Sequence, residues 1–102
     1  MRLPAELQDA IQLETDKIDR RKLAQAAAQL TEHYKAADFS TPAVATEAHR
    51  AAYLAVRLPA TYAALHRVFA ELKLRVPQDE ITGLLDLGAG PGTTLFAAIE
   101  QF

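Results

Sequence analysis

The sequence predicts a mainly α chain: a helical N-terminal subdomain over residues 1–76, followed by a single β-α unit over residues 77–102. Three observations carry that expectation. Apolar residues recur at steps of three and four along most of the first part. Prolines and capping residues fall between those stretches, where helices start and stop. Near the end, a short apolar run, Leu84-Leu85-Asp86-Leu87, leads into glycines at alternate positions, Gly88, Gly90 and Gly92, and then into the helix-forming stretch Leu95–Glu100.

In chain order, Pro4 suits the first turn of a helix, and Glu6 and Asp9 sit where the helix dipole favours acids. With Leu3, Leu7, Ile11 and Leu13 on an apolar side, a first helix is predicted over residues 4–16. Asp19 is placed to cap a second helix, whose stripe is Leu23, Ala27, Leu30 and Tyr34. Residues 36–45, with Asp38, Ser40, Thr41 and Pro42, read as a loop. Thr46 is placed to cap a third helix carrying Ala48, Ala51, Ala52, Ala55 and Val56, small enough for close helix approach. Pro59 either breaks or kinks that helix or opens a new one. Beyond it, Tyr62, Leu65, Phe69, Leu72 and Val76 form the clearest apolar stripe, which ends at Pro77. Thr82-Gly83 then lead into the expected strand.

Composition narrows the function classes. Length of 102 residues is one domain's worth, and half the residues are hydrophobic, enough for a compact core. Eleven Lys plus Arg against 13 Asp plus Glu give a net charge of −2, so no global basic field draws the chain to nucleic acid. The absence of Cys excludes disulfides and thiolate metal sites and fits a reducing compartment. The start, Met1-Arg2-Leu3-Pro4-Ala5-Glu6, lacks a signal peptide's apolar run, and no apolar stretch of about 18 residues is present to span a bilayer. The expectation is a cytoplasmic protein with no membrane partner.

The glycine spacing selects among ligands. Without a Cβ, glycine lets a ligand lie against the main chain. No Lys follows these glycines, which argues against a nucleotide P-loop. The dinucleotide pattern G-x-G-x-x-G fits Gly88 and Gly90, but its third position falls on Thr93, and Gly92 comes one residue early. A plain strand-to-helix turn is the other reading. Asp86-x-Gly88-x-Gly90-x-Gly92 instead resembles the first motif of Rossmann-like methyltransferases that use S-adenosylmethionine. That resemblance implies cofactor binding by Asp86, Gly88, Ala89, Gly90 and Gly92. The turn would pass under the methionine part, and the acid would anchor the turn or meet the cofactor amine through water.

Two further stretches extend the resemblance: Leu30-Thr31-Glu32-His33-Tyr34-Lys35, and Ala52-Tyr53-Leu54-Ala55-Val56-Arg57-Leu58-Pro59-Ala60-Thr61-Tyr62-Ala63-Ala64. With the glycine loop, they are similar to the mitochondrial small-ribosomal-subunit methyltransferase-like family and its bacterial relatives. The family pattern is L-S-x-x-Y-R, then A-Y-x-x-x-R-x-P-A-T-Y-A-A, then L-D-x-G-A-G-P-G-T. Here Thr31 replaces Ser, Lys35 replaces Arg, and Phe96 stands where the family often has Trp. The resemblance implies helices preceding a Rossmann-like methyltransferase domain, with the small ribosomal subunit or its RNA as partner. Some members carry a cysteine cluster for metal or iron–sulfur binding, which this cysteine-free chain does not.

A Rossmann-type site needs the carboxyl ends of several strands and an acid about 20 residues past the glycines for the ribose. Those parts would lie past Phe102, so the chain is expected to be an N-terminal fragment that is inactive alone. Methyl transfer requires nucleophile, methyl carbon and leaving sulfur in line, and one loop cannot align all three. The catalytic residue is therefore unknown. An apolar strand without partners is an association hazard, so residues 83–87 are expected to pair with another copy or to be covered by the local helices.

Other candidates carry two readings each. Arg57 could reach a cofactor carboxylate or an RNA phosphate, or bond the last carbonyls of a helix ending before Pro59. Thr61 and Tyr62 could close over the cofactor, or Tyr62 could be core. His33, His49 and His66 are dispersed without ligand spacing, so no metal is expected. Arg50, Arg57, Arg67, Lys73 and Arg75 make residues 46–75 locally basic, either an RNA-facing side or a solvated face. The solvated face is the preferred reading. Two functions remain: an S-adenosylmethionine-dependent rRNA methyltransferase, or a non-catalytic ribosome-assembly factor that keeps the methyltransferase-like scaffold.

Overall fold

A computed structural model gives the positions of residues 2–37, 42, 44–78 and 80–102. These residues are mainly helical: α1 (Ala5–Asp16), α2 (Arg20–Ala36), α3 (Glu47–Ala52), a π-helical turn (Tyr53–Arg57), α4 (Leu58–Arg75) and α5 (Thr93–Gln101). They gather into two compact units, Pro4–Leu58 and Pro59–Phe102, with the first residues of the chain grouped in the second.

In the first unit, local signals fix the helix ends. Pro4 precedes α1, and Glu6 lies in its first turn. The Lys22 N–H donates to Asp19 Oδ2 at 3.4 Å, capping α2 as the sequence predicts. The His49 N–H donates to Thr46 Oγ1 at 3.1 Å and caps α3. Helix α2 ends on Ala37 in the left-handed region, φ 51°, a conformation that Cβ disfavours. Most of the expected loop over residues 36–45, including Asp38, Ser40 and Thr41, lies outside the described residues.

The core of this unit is Ala26, Leu30 and Ala52, flanked by Leu23, Ala27, Val44, Ala48 and Tyr53. Small residues let α2 and α3 approach closely, and His49 ties them together. Its Nδ1 accepts from the Ala45 N–H at 3.4 Å, and its Nε2 lies 2.7 Å from Gln29 Oε1. These partners put the ring proton on Nε2. Helix α1 lies against α3 and the π turn but buries no residue fully.

Pro59 does not end the helix. The Leu58 N–H donates to the Tyr53 carbonyl, an i→i+5 bond, and Pro59 sits in the first turn of α4. A proline in a regular helix lacks the N–H for the carbonyl four residues back, here that of Ala55, and its ring collides with it. A turn widened by one residue relieves that collision.

In the second unit, the α4 stripe is sealed at its start and open at its end. Tyr62 is 1% exposed, whereas Leu72 is 40% exposed. Helix α5 buries Thr93, Ala97 and Ala98. The rings of Phe69 and Phe102 lie 5.7 Å apart, and Gln101 Nε2 is 3.0 Å from His66 Nε2. Lys73 Nζ donates to the Gln101 carbonyl at 3.0 Å, placing a cation at the negative end of α5.

The expected β-α unit is present only in its helical half. Among the described residues none is in a strand, and residues 80–86 have no regular structure. A strand exists by virtue of a hydrogen-bonded neighbour, and no second extended run among the described residues supplies one. Nor do the local helices cover the segment. Leu85 is 84% and Leu87 86% exposed.

Candidate functional site

The glycine turn adopts the backbone its composition requires. Gly88, Gly90 and Gly92 all have positive φ, at 70°, 56° and 85°. The Gly92 N–H closes the turn onto the Ala89 carbonyl at 3.0 Å, and α5 begins at Thr93. A Cβ built on Gly88 or Gly90 would meet nothing within 4 Å, so conformation rather than crowding demands glycine there. That same open space leaves the main chain accessible. No side chain caps α5, because its N-cap is Gly92. Its first-turn N–H groups are therefore without a side-chain acceptor at the N-cap.

Asp86 stands immediately before this turn and is half-buried. Its Oδ2 is buried without a hydrogen-bond partner. An unsatisfied buried acceptor costs about 1–3 kcal/mol, and a donor brought by a ligand would remove that cost. The turn thus presents a positive helix end and a carboxylate oxygen within one short stretch of chain. Such a pair suits a ligand with both an anionic and a cationic group.

Tyr62 is core, not a lid. Burial pushes its phenol above the ordinary value of 10.0, and the Glu100 carboxylate adds to the shift. Thr61, its neighbour, is exposed.

Arg57 does not follow the helix-end reading. It bonds no terminal carbonyl, since the helix continues through the π turn into α4. Its guanidinium carbon instead lies 4.4 Å from the centroid of the Tyr34 ring on α2. The sequence assigned Tyr34 to an apolar stripe, yet it is 38% exposed at the edge of that stripe. The available signal was Pro59, two residues after Arg57, which forces the extra residue into the turn. Two more of the five cations of residues 46–75 are engaged on neighbours: Arg75 Nη2 with Glu71 at 2.9 Å, and Lys73 on α5.

A half-buried Asp86 followed by a glycine turn that opens a helix, with an R-L-P-A-T-Y element across the π turn and the start of α4, defines a mainly helical protein with a glycine-turn unit. The chain belongs to the family described as mitochondrial small ribosomal subunit Rsm22, which matches residues 47–102. That span takes in α3, the π turn with Arg57, α4, the glycine turn and α5. No curated protein and no solved structure matches the chain. Among the described residues, no helix is long and apolar enough to cross a membrane.

Proposed function

We propose that this chain supplies the helical unit and first cofactor loop of an S-adenosylmethionine-dependent methyltransferase that acts on the RNA of the small ribosomal subunit. Membership of a family described by that subunit supports the ribosomal link. The observation that carries the cofactor reading is the trio of left-handed glycines with open space above them, next to a buried Asp86 oxygen lacking a donor. The residues fit the group. Asp86 would take the cofactor ammonium, while Gly88, Ala89, Gly90 and Gly92 would leave main chain bare for its methionine part. When bound, S-adenosylmethionine supplies an electrophilic methyl carbon on a sulfonium. Exposed Leu84, Leu85 and Leu87 fit a strand that is flanked by further strands and covered on both faces by helices. On this reading the stretch alone is inactive, and its self-association follows from the bare leucines.

Calorimetric titration of S-adenosylmethionine, into the chain and into the product of the full reading frame that encodes it, tests the proposal. Saturable heat from the latter, abolished by Asp86→Ala, is expected. Absence of heat at millimolar cofactor would remove the reading. A second reading, a non-catalytic assembly factor, draws on the family description, which names a ribosomal subunit and no reaction. Saturable binding without methyl transfer to small-subunit RNA supports that alternative. That description also names the mitochondrion; residence in the cytoplasm is the reading for this chain, and imaging a tagged copy in its own cells tests it.

A further inference from the structure

The two helical stretches that carry the family resemblance, Leu30–Lys35 and Ala52–Ala64, meet at Arg57 and Tyr34. The Arg57 guanidinium carbon sits 4.4 Å from the Tyr34 ring centroid, and both residues are exposed. Among the described residues the ion pairs are Lys17–Glu14, Lys35–Glu32 and Arg75–Glu71, so no described carboxylate pairs with Arg57. The ring holds the guanidinium in place and its N–H donors have no acceptor among the described residues. His33 meets the Tyr34 ring edge-on, with centroids 6.2 Å apart.

The π turn builds this arrangement. In a regular helix Arg57 would lie one heptad beyond Arg50, within about 20° of the same line. The i→i+5 bond from Leu58 to Tyr53 adds a residue to the turn, a rotation of about 100° at 3.6 residues per turn. Arg57 leaves the line of Arg50 and comes to rest on an aromatic ring of another helix. The aromatic ring beside Arg57 is thus supplied from α2.

We propose that the Arg57–Tyr34 stack is a contact for single-stranded RNA, with the guanidinium fork gripping a backbone phosphate and the exposed tyrosine beside it meeting a base. An arginine fork matches phosphate geometry, and an aromatic ring stacks on any base. Together they address both halves of a nucleotide, whereas an acidic peptide would use the charge alone. With a net charge of −2 the chain has no general attraction for RNA, so affinity depends on such local contacts. This deepens the function proposed above and rests on its RNA partner.

Fluorescence anisotropy with a short fluorescein-labelled single-stranded RNA, across a salt series, tests the contact on the intact chain. Arg57→Ala is expected to weaken binding about tenfold, the worth of one charge-assisted contact. It also flattens the plot of log K against log salt by about 0.7, one phosphate on a single strand. Tyr34→Phe keeps the ring and the affinity, while Tyr34→Leu loses most of it. Circular dichroism melts matching those of the parent show that the fold is kept. An Arg57→Ala chain with parental affinity and salt slope overturns the contact and leaves the RNA partner standing. A parent that binds no RNA overturns both. A labelled oligoglutamate peptide held with the same Arg57 dependence overturns RNA in favour of an acidic protein.

Discussion

The unit Pro4–Leu58 and the segment 80–92 both carry leucines suited to a core, and these end in opposite states. In the first, Ala26, Leu30 and Ala52 are nearly sealed from solvent, and Leu58 is 1% exposed. In the second, Leu85 and Leu87 lie bare and three glycines hold left-handed backbone. The difference is where each finds its partners. A helix satisfies its own backbone and needs only one neighbouring face, which α2 and α3 offer each other. A strand needs another strand to pair with, and one inside a parallel sheet also needs cover on both faces. The described chain has no such partners, and the leucines remain unburied.

Several substitutions can break or sharpen that contrast. The largest effect is expected at Leu30. Leu30→Ala empties part of the α2–α3 core and should cost about 3 kcal/mol in urea unfolding, whereas Leu85→Ser should change stability by less than about 0.5 kcal/mol. Equal losses at both positions would show that residues 83–87 are covered in solution. Gly90→Ala comes next. Its φ of 56° imposes strain, expected at about 1–2 kcal/mol in the same urea unfolding; an unchanged midpoint would mean that the turn is not held. Thr46→Ala removes the α3 cap and should cost about 1 kcal/mol, while Thr46→Asn should restore it.

The smallest effect is alkaline. The Tyr62 phenol is raised in the folded chain by burial and then by Glu100, so the folded state holds its proton more tightly than the unfolded state does. Its contribution to stability is complete below the ordinary value of 10.0 and is lost as pH rises through the raised folded value. A spectrophotometric titration should show a phenol ionising late, and Tyr62→Phe should remove that phase. A Tyr62→Phe chain with an unaltered titration would place the residue in water.

Concentration-dependent light scattering sharpens the contrast differently. A strictly monomeric chain at all concentrations would show that exposed Leu85 and Leu87 do not drive pairing of residues 83–87 between copies.

Much of the helical part was legible because its signals are local. Asp19 and Thr46 announce their caps, and the steps from Leu23 to Leu30 and from Tyr62 to Phe69 announce buried faces. The glycine turn was legible for the same reason, since Gly88, Gly90 and Gly92 each needed a backbone that other residues avoid. The strand at Leu84–Leu87 was not, because apolar composition states a preference and pairing depends on distant chain.

The sequence by itself determined where the capped helices begin, where glycines free to bend left-handed recur, and that an acid precedes the turn, all properties of a few consecutive residues. Tertiary structure alone decided that Arg57 rests on Tyr34 and that Asp86 buries an oxygen without a donor. Each of these depends on what the next turn or the next helix places alongside, and residue order does not encode that placement until the chain has packed.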